Sequence, residues 1–457
     1  MNSRKRGVGM SKLKFILLLI IMSLLLNSCS SIYTEDPIIS QNVAIEIDPS
    51  MEYFTEGNVV SKSAQVDGFV YKNSWIYVEN QKYQKYIKTL STGEKVYEDA
   101  TAQRIVKLNT LTGNVSSVCL DPVCTHSPGS DCIMLCPDNA MVALDAVVGD
   151  WLMFSYQVSD LELEGYWPTV YAYNMLTGEL SEIFDYDLSG TLINKISLRC
   201  VFGDKLYYTK KILDYSNTDY DPSKDIPLSE YEPETRTVFW EYDFETKKNR
   251  ELFEVPNNYK ISAITNKRFF FILQQGEVYS CNRDGSNMKR EENFDFAVSC
   301  FCGNFAYYID HQEYHIKIYD VATDTAKTVP FEYPYQQCVV TGEGIMINTF
   351  STANEEYAKA MESWNLTLCM QLRYSGTAWI YMMDFDGSNS RLVYEQDDFG
   401  VNAGCASEKY FCATVTYYNP ETPHVYYSYL DSARHLINRT TGEITPVPLL
   451  ELVLIEE

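Results

Sequence analysis

Four thiols and an imidazole fall within 18 residues of this chain, in "CLDPVCTHSPGSDCIMLC" from Cys119 to Cys136. Their spacing is C-x4-C-x-H-x5-C-x3-C, with His126 as the imidazole. Two chemistries use such residues. Thiolates and a neutral imidazole are soft donors for a tetrahedral ion such as zinc. Paired thiols in an oxidising compartment form disulfides instead. Zinc ribbons are built from C-x2-C knuckles, and neither knuckle is present. Turn formers at Asp121-Pro122 and Pro128-Gly129 let the chain fold back and bring thiols within bridging distance. The leading expectation is therefore two disulfides among Cys119, Cys124, Cys132 and Cys136. Cys119 pairs with Cys124 or with Cys136, the remaining two pair with each other, and His126 faces solvent. The competing expectation has all four sulfurs, with or without the imidazole, converging on one ion, and free thiols are the third. The sequence assigns no metal and no cofactor.

Signatures of catalysis are scarce. The chain has no G-x-S-x-G elbow, no H-E-x-x-H and no phosphate-cradling glycine loop. "HQEYH", His311 to His315, has an i, i+4 histidine pair, but the surrounding pattern is a hairpin, whereas zinc pairs of that spacing sit on a helical turn. With 62 acidic residues, neighbouring carboxylates arise by chance. No catalytic residue is assigned. Binding residues are better supported. "DYSNTDYDPSKDIPLSEYEPE" interleaves carboxylates with tyrosines, and tyrosine gives contact area at low entropic cost. It supplies Tyr215, Asp219, Tyr220, Asp221, Asp225 and Tyr231 as binding candidates. Asp219, Asp221 and Asp225 offer oxygen ligands, yet the glycine and terminal glutamate of a calcium loop are missing, so a solvated acidic loop is expected. A further candidate is Trp364, in "TANEEYAKAMESW", where Thr352 and Glu355 have capping-box spacing. Tyr357, Met361 and Trp364 there fall on one stripe of a short amphipathic helix expected to pack on the domain.

The compartment decides what the thiols can do. Arg4, Lys5, Arg6, Lys12 and Lys14 precede the apolar run "FILLLIIMSLLL", Phe15 to Leu26. That run is short for a membrane span and is flanked as a signal peptide is. It ends in "LNSC", Leu26 to Cys29, which resembles the lipobox of bacterial lipoproteins. The resemblance implies that residues 1–28 are removed, that Cys29 is lipidated, and that the chain is tethered outside the bacterial cytoplasmic membrane. The lipid is then the expected membrane contact. Of 13 cysteines, 12 remain after Cys29, an even number suited to bridges. Without residues 1–28, 32 basic side chains face 62 acidic ones and the net charge is −30. Such a surface repels phosphate backbones, which excludes nucleic acid as a partner class.

The elements that must position these residues show themselves as repeats. One series is a tight turn before a short aromatic strand: "NSWIYV" at Asn73, "GDWLMF" at Gly149, "GDKLYY" at Gly203 and "NKRFFF" at Asn266. It continues with "GNFAYY" at Gly303, "GEGIMI" at Gly342 and "SEKYFC" at Ser407. A second series alternates with it, as an extended run meeting Asn or Asp and then a polar turn. Examples are "IVKLNTLTG" ending at Gly113, "VYAYNMLTG" at Gly178 and "IYMMDFDGSN" at Asn389. Each series has seven members. Two hairpin turns per unit make four strands, and seven units make an all-β, seven-bladed β-propeller over residues 61–457, after a tether and N-terminal segment at 29–60. An eighth, degenerate blade from "VAIEIDPSMEYF", Val43 to Phe54, is an alternative. The "DGSN" and "D-x-x-TG" turns resemble those of bacterial propellers of the TolB-like group, which implies fold and not activity. The cysteine stretch also looks like a cysteine-rich segment of surface propellers from anaerobic Gram-positive bacteria.

With strands named A to D outward from the axis, the two turn series are the A–B and C–D turns and share one face. The B–C loops and the D-to-A crossovers take the other. There lie insertions at Gln81–Gln103, Gln157–Pro168, Lys210–Thr237, Ser351–Ala378 and Thr414–Ala433, while the connections near Gly276 and His311 are short. The cysteine stretch is placed on the same face, as the first crossover. Loops of this kind carry function on a rigid scaffold. The expectation is a monomeric, non-catalytic binder of a protein or cell-envelope glycan. The alternative is an extracytoplasmic hydrolase or lyase acting on polysaccharide or peptide from acid–base groups in the central funnel.

Overall fold

Local turn chemistry sets the strand order. At five of the C–D turns the first residue is Asn or Asp, and its side-chain oxygen accepts from backbone N–H groups two or three positions on. Asn109 Oδ1 accepts from Leu111 and Thr112 at 2.9 and 3.0 Å, and Asn174 Oδ1 from Leu176 and Thr177, both at 3.0 Å. Asp243, Asp320 and Asn438 do the same. Four positions later the chain needs a left-handed residue, supplied by Gly113, Gly178 and Gly442, and by Lys247 and Asp324 at φ of 55° and 54°. That pair of demands is what the repeated motif encodes.

The computed structural model describes residues 48–449, except 55–58, 62–67, 127–129, 137–139, 159–168, 185–191, 220, 222–230, 258, 274–275, 295–297, 299, 311–314, 332–334, 352–354, 375, 398–399 and 419–429. Cys29, Tyr220, Asp225 and His311 lie outside the described residues, as do the signal segment and most of Gln157–Pro168 and Thr414–Ala433.

Seven antiparallel sheets follow one another along the chain, each with four sequential strands. Blade one contains β2 (Phe69–Tyr71), β3 (Ser74–Thr89), β4 (Lys95–Asn109) and β5 (Val115–Ser117). Blade two contains β6 (Ala140–Val148), β7 (Trp151–Val158), β8 (Thr169–Asn174) and β9 (Leu180–Phe184). Blade three runs from β10 (Leu192–Phe202) to β13 (Lys248–Val255), and blade four from β14 (Lys260–Ile264) to β17 (Lys289–Arg290). Blades five, six and seven begin at β18 (Cys300–Cys302), β22 (Tyr335–Thr341) and β26 (Gly400–Ala406). This is a seven-bladed β-propeller. No eighth blade forms among the described residues. Instead β1 (Val59–Ser61) pairs antiparallel with β18, adding a fifth strand to the axial edge of blade five.

Each seam between neighbouring blades holds one apolar cluster. Tyrosines fill much of this volume: Tyr77, Tyr207, Tyr307 and Tyr319 are among the largest fully buried side chains. Every seam thus holds at least one buried tyrosine. The ring closes without strand exchange. Trp75, Tyr77, Val106 and Leu108 of blade one meet Cys405, Cys412 and Leu436 of blade seven, with the Arg434 guanidinium 4.3 Å from the Tyr77 ring centre. Cys405 and Cys412 are direct cross-strand partners, while Cys300 and Cys302 are buried.

Before β1, the chain docks on the A–B turns of blades four and five. Phe54 N–H donates to Gly303 O at 2.7 Å, and Tyr53 N–H to Asn266 Oδ1 at 3.1 Å. From about Met51 the N-terminal segment thus contacts the propeller directly.

Two insertions have regular structure. Gln81–Gln103 extends β3 and β4 into a long hairpin arm beyond the blade. Ser351–Ala378 forms two helices, α1 (Glu355–Glu362) and α2 (Leu366–Tyr374), the second unforeseen from sequence. Tyr357 packs edge-on against Phe350 at 5.1 Å. Trp364 does not share its stripe: it follows α1 at φ 55°, ending the helix, and is 82% exposed.

Candidate functional site

The outermost strand of blade one is interrupted, and the cysteine stretch is the interruption. The strand pairing of β5 extends to Val118, whose N–H donates to Ile105 O at 3.5 Å. The chain then leaves the sheet and rejoins it further along. Ile105 N–H donates to Met134 O at 2.8 Å, Leu135 bridges Arg104, and Cys136 N–H donates to Gln103 O at 2.7 Å. Residues 119–126 and 130–133 thus form a knuckle on the outer rim. This corrects the placement expected from sequence, a crossover on the insertion-bearing face. Backbone pairing with β4 resumes after the knuckle, a register that no side-chain pattern announces.

Blade two supports the knuckle. Tyr173 Oη accepts from Leu120 N–H at 2.8 Å, and Tyr156 Oη donates to Ile133 O. Tyr173, Thr177, Gly178 and Leu180 line a shallow cavity together with Cys119, Cys124 and Cys132. The Asp121-Pro122 turn forms as expected: Val123 N–H donates to Asp121 Oδ1 at 3.0 Å and Cys124 N–H to Asp121 O at 3.3 Å.

Within the knuckle the sulfurs of Cys119, Cys124 and Cys132 and an imidazole nitrogen of His126 all lie within 4.8 Å of one another. His126 Nδ1 is 3.4 Å from Cys132 Sγ. The ring is partly buried on the sulfurs rather than turned to solvent, held there by a left-handed backbone at φ 53°. Two backbone N–H groups are directed at sulfur, that of Asp121 at Cys119 and that of Met134 at Cys132. Cys136 does not belong to this group. It is buried in the seam of blades one and two with Met134, Val142 and Tyr156.

Burial pushes the Cys119 and Cys132 thiols above their ordinary range, and raises Cys136 to about 11. Burial, and then the Arg104 charge, lower the His126 pKa. At neutral pH the imidazole is therefore neutral and can donate a lone pair. This is the one group of three or more His, Cys, Asp or Glu side chains among the described residues whose donor atoms converge.

The sequence-derived binding residues are not brought into one site. Tyr215 is 4% exposed and packs edge-on against the half-buried Tyr231, with centroids 6.4 Å apart. Its burial makes it a structural residue of the blade-three extension rather than a contact surface. Asp219 is exposed and Asp221 is half-buried.

No family model matches the chain, and no curated protein does. Among solved structures, similarity is found to the acylaminoacyl peptidase of Pyrococcus horikoshii at 14% identity and a TM-score of 0.43, covering 85% of this chain and 52% of that one. This chain therefore spans about half the length of that peptidase. The β-propeller domain of the trilobed protease of Pyrococcus furiosus is similar at 11% identity and a TM-score of 0.37, over 83% and 93% of the two chains. A putative TolB from Agrobacterium tumefaciens is similar at 10% identity and a TM-score of 0.28, over 56% and 81%. Likeness at this level carries no activity to this chain, and the fold stands on its own seven sheets.

Proposed function

We propose that the protein is a lipid-anchored, extracytoplasmic β-propeller that binds a protein or cell-envelope glycan on its insertion-bearing face without catalysing a reaction. The asymmetry of the two faces carries this reading. Every A–B and C–D connection is a tight turn. The hairpin arm of β3 and β4, the described ends of the connection between β11 (Lys205–Asp214) and β12 (Glu234–Asp243), and the helix pair α1–α2 all lie at the opposite, B–C end of their blades. A rigid ring that concentrates its variable connections on one side is built to present a surface.

The hydrolase or lyase alternative needs an acid and a base facing the axis. The seven innermost blade strands carry one carboxylate in all, Asp145, and no histidine. β1 also occupies the axial edge of blade five. Both observations favour binding over funnel catalysis. The anchor reading rests on the lipobox resemblance at Cys29.

The binding test compares the full chain with a variant whose residues 215–233 are replaced by a short turn, in pull-downs from envelope extracts and on a glycan array. Loss of at least one saturable interaction in the variant is the expected result. Unchanged interactions throughout would remove this loop as the binding surface. For the anchor, Cys29→Ser is expected to abolish detergent-phase partitioning, and retention of that partitioning would refute lipidation there.

A further inference from the structure

We propose that Cys119, Cys124, His126 and Cys132 form a tetrahedral zinc site that closes the rim knuckle between blades one and two. Three sulfurs and one imidazole nitrogen within 4.8 Å of one another make a four-donor set with no member left over. Zinc–sulfur bonds of about 2.3 Å and tetrahedral angles set ligand sulfurs about 3.8 Å apart, and a nitrogen about 3.5 Å from each sulfur. The separation of 3.4 Å between His126 Nδ1 and Cys132 Sγ fits that edge.

A disulfide accounts for less. It joins two of the three clustered sulfurs at about 2.0 Å and leaves an odd thiol beside an imidazole. Two bridges would need Cys136, which shares the buried cluster of the seam with Cys132 but is not among the converging donors. Thiolate and imidazole donors select against calcium and magnesium, which take oxygen ligands, and three Cys with one His is a closed structural zinc set.

Coordination displaces three thiol protons to solvent, so the loaded site carries one net negative charge. No electron transfer is involved. The consequence is local: the knuckle replaces a stretch of sheet, and the ion ties its two ends, Cys119 and Cys132, to its middle at Cys124 and His126. This site stands independently of what the propeller binds.

The test uses the full chain purified under reducing conditions. Elemental analysis is expected to find one zinc per chain. Cobalt(II) added to chelator-stripped protein should give the intense visible bands of a tetrahedral thiolate site, bleached by one equivalent of zinc. Cys124→Ser and His126→Ala should each weaken zinc binding by at least 10-fold, while Cys136→Ser leaves the stoichiometry at one. Should the Cys124 and His126 variants fail to fold, the cobalt titration of the unaltered chain still decides. An octahedral cobalt spectrum, or no spectrum, overturns the proposal. So does protein isolated without reductant that holds no metal and has Cys119, Cys124, Cys132 and Cys136 all bridged. Stoichiometric zinc that survives both the Cys124 and His126 substitutions would overturn it equally.

Discussion

Replacing Phe54 by alanine probes whether the segment before the first blade holds the ring together. Phe54 is fully buried, its ring 5.9 Å from Phe301, 6.0 Å from Phe270, 6.4 Å from Phe294 and 6.5 Å from Tyr319. It therefore bridges blades four and five from the A–B turn side. Truncating a buried phenylalanine costs about 3–5 kcal/mol when the cavity cannot collapse. A terminal segment has another way out, which is to undock. Its remaining ties are the Glu52–Arg268 pair at 2.8 Å, the bond from Thr265 Oγ1 to Glu52, the backbone bonds of Tyr53 and Phe54 with Asn266 and Gly303, and the bonds from Asn266 and Lys267 to the Met51 and Ser50 carbonyls. At roughly 1 kcal/mol for each neutral hydrogen bond and somewhat more for each charged one, those ties sum to about 8 kcal/mol. Undocking is then costlier than the cavity, and the loss is about 3–5 kcal/mol. For a cooperative unit of about 400 residues, with an unfolding entropy near 0.8 kcal/mol/K, that is about 4–6 °C in Tm. Calorimetry of Phe54→Ala gives the Tm, and hydrogen exchange at the Phe54 amide separates the routes, since only undocking exposes it. Met51→Ala, at a 41% exposed position, serves as control and should change stability by less than about 0.5 kcal/mol. A Phe54→Ala protein as stable as that control would refute the claim that this segment is part of the domain.

Two further outcomes follow from the turns. Gly285, at φ 83°, faces the Phe253 ring 2.8 Å from where a Cβ would stand, whereas Gly149, at φ 55°, faces open space. Gly149→Ala should cost only the backbone penalty of about 1–2 kcal/mol, and Gly285→Ala measurably more, as read by denaturant titration. Arg439 donates to both carboxylate oxygens of Glu343, at 2.6 and 2.7 Å, tying the A–B turn of blade six to blade seven. This pair holds the Glu343 carboxyl below its ordinary value. Its stabilisation is therefore fully present above the unfolded carboxylate pKa, about 4.3, and is lost as pH falls through the lower folded value. Glu343→Gln should be less stable at neutral pH and flatten the pH dependence below about 4.3, and an unchanged acid limb would contradict the linkage.

Blade number and strand order were legible because each depends on local chemistry that repeats. An Asn or Asp that caps the turn, and a left-handed residue four positions on, must both appear in sequence, as at Asn109 and Gly113 or Asn174 and Gly178. Lys247 and Asp324 take the left-handed position without glycine, yet the capping Asp and the register survive, so the repeat remained readable. The helix pair was half legible. Periodicity locates α1, but Trp364 lies where the helix has already ended, and an exposed left-handed tryptophan leaves no periodic trace.

The site itself was legible in composition and not in place. Spacing alone makes Cys136 the natural fourth partner of the three preceding cysteines, because it lies only four residues beyond Cys132. The chain has rejoined the sheet by then. Met134 O accepts from Ile105, Leu135 makes an isolated bridge with Arg104, and Cys136 N–H donates to Gln103, so the backbone of residues 134–136 is fixed against β4. Cys132, Met134 and Cys136 are all buried in the seam with blade two. Of the two cysteines, only Cys132 brings its sulfur within reach of Cys119, Cys124 and His126. His126 makes up the fourth donor because a left-handed backbone, a conformation histidine tolerates better than most non-glycine residues, turns the imidazole inward. Both facts concern backbone geometry between two blades, a level at which one strand's pattern of side chains is silent. The donor set of Cys119, Cys124, His126 and Cys132 is therefore a product of the propeller's rim, and grafting the isolated knuckle onto a free peptide removes the β4 and Tyr173 contacts that shape it.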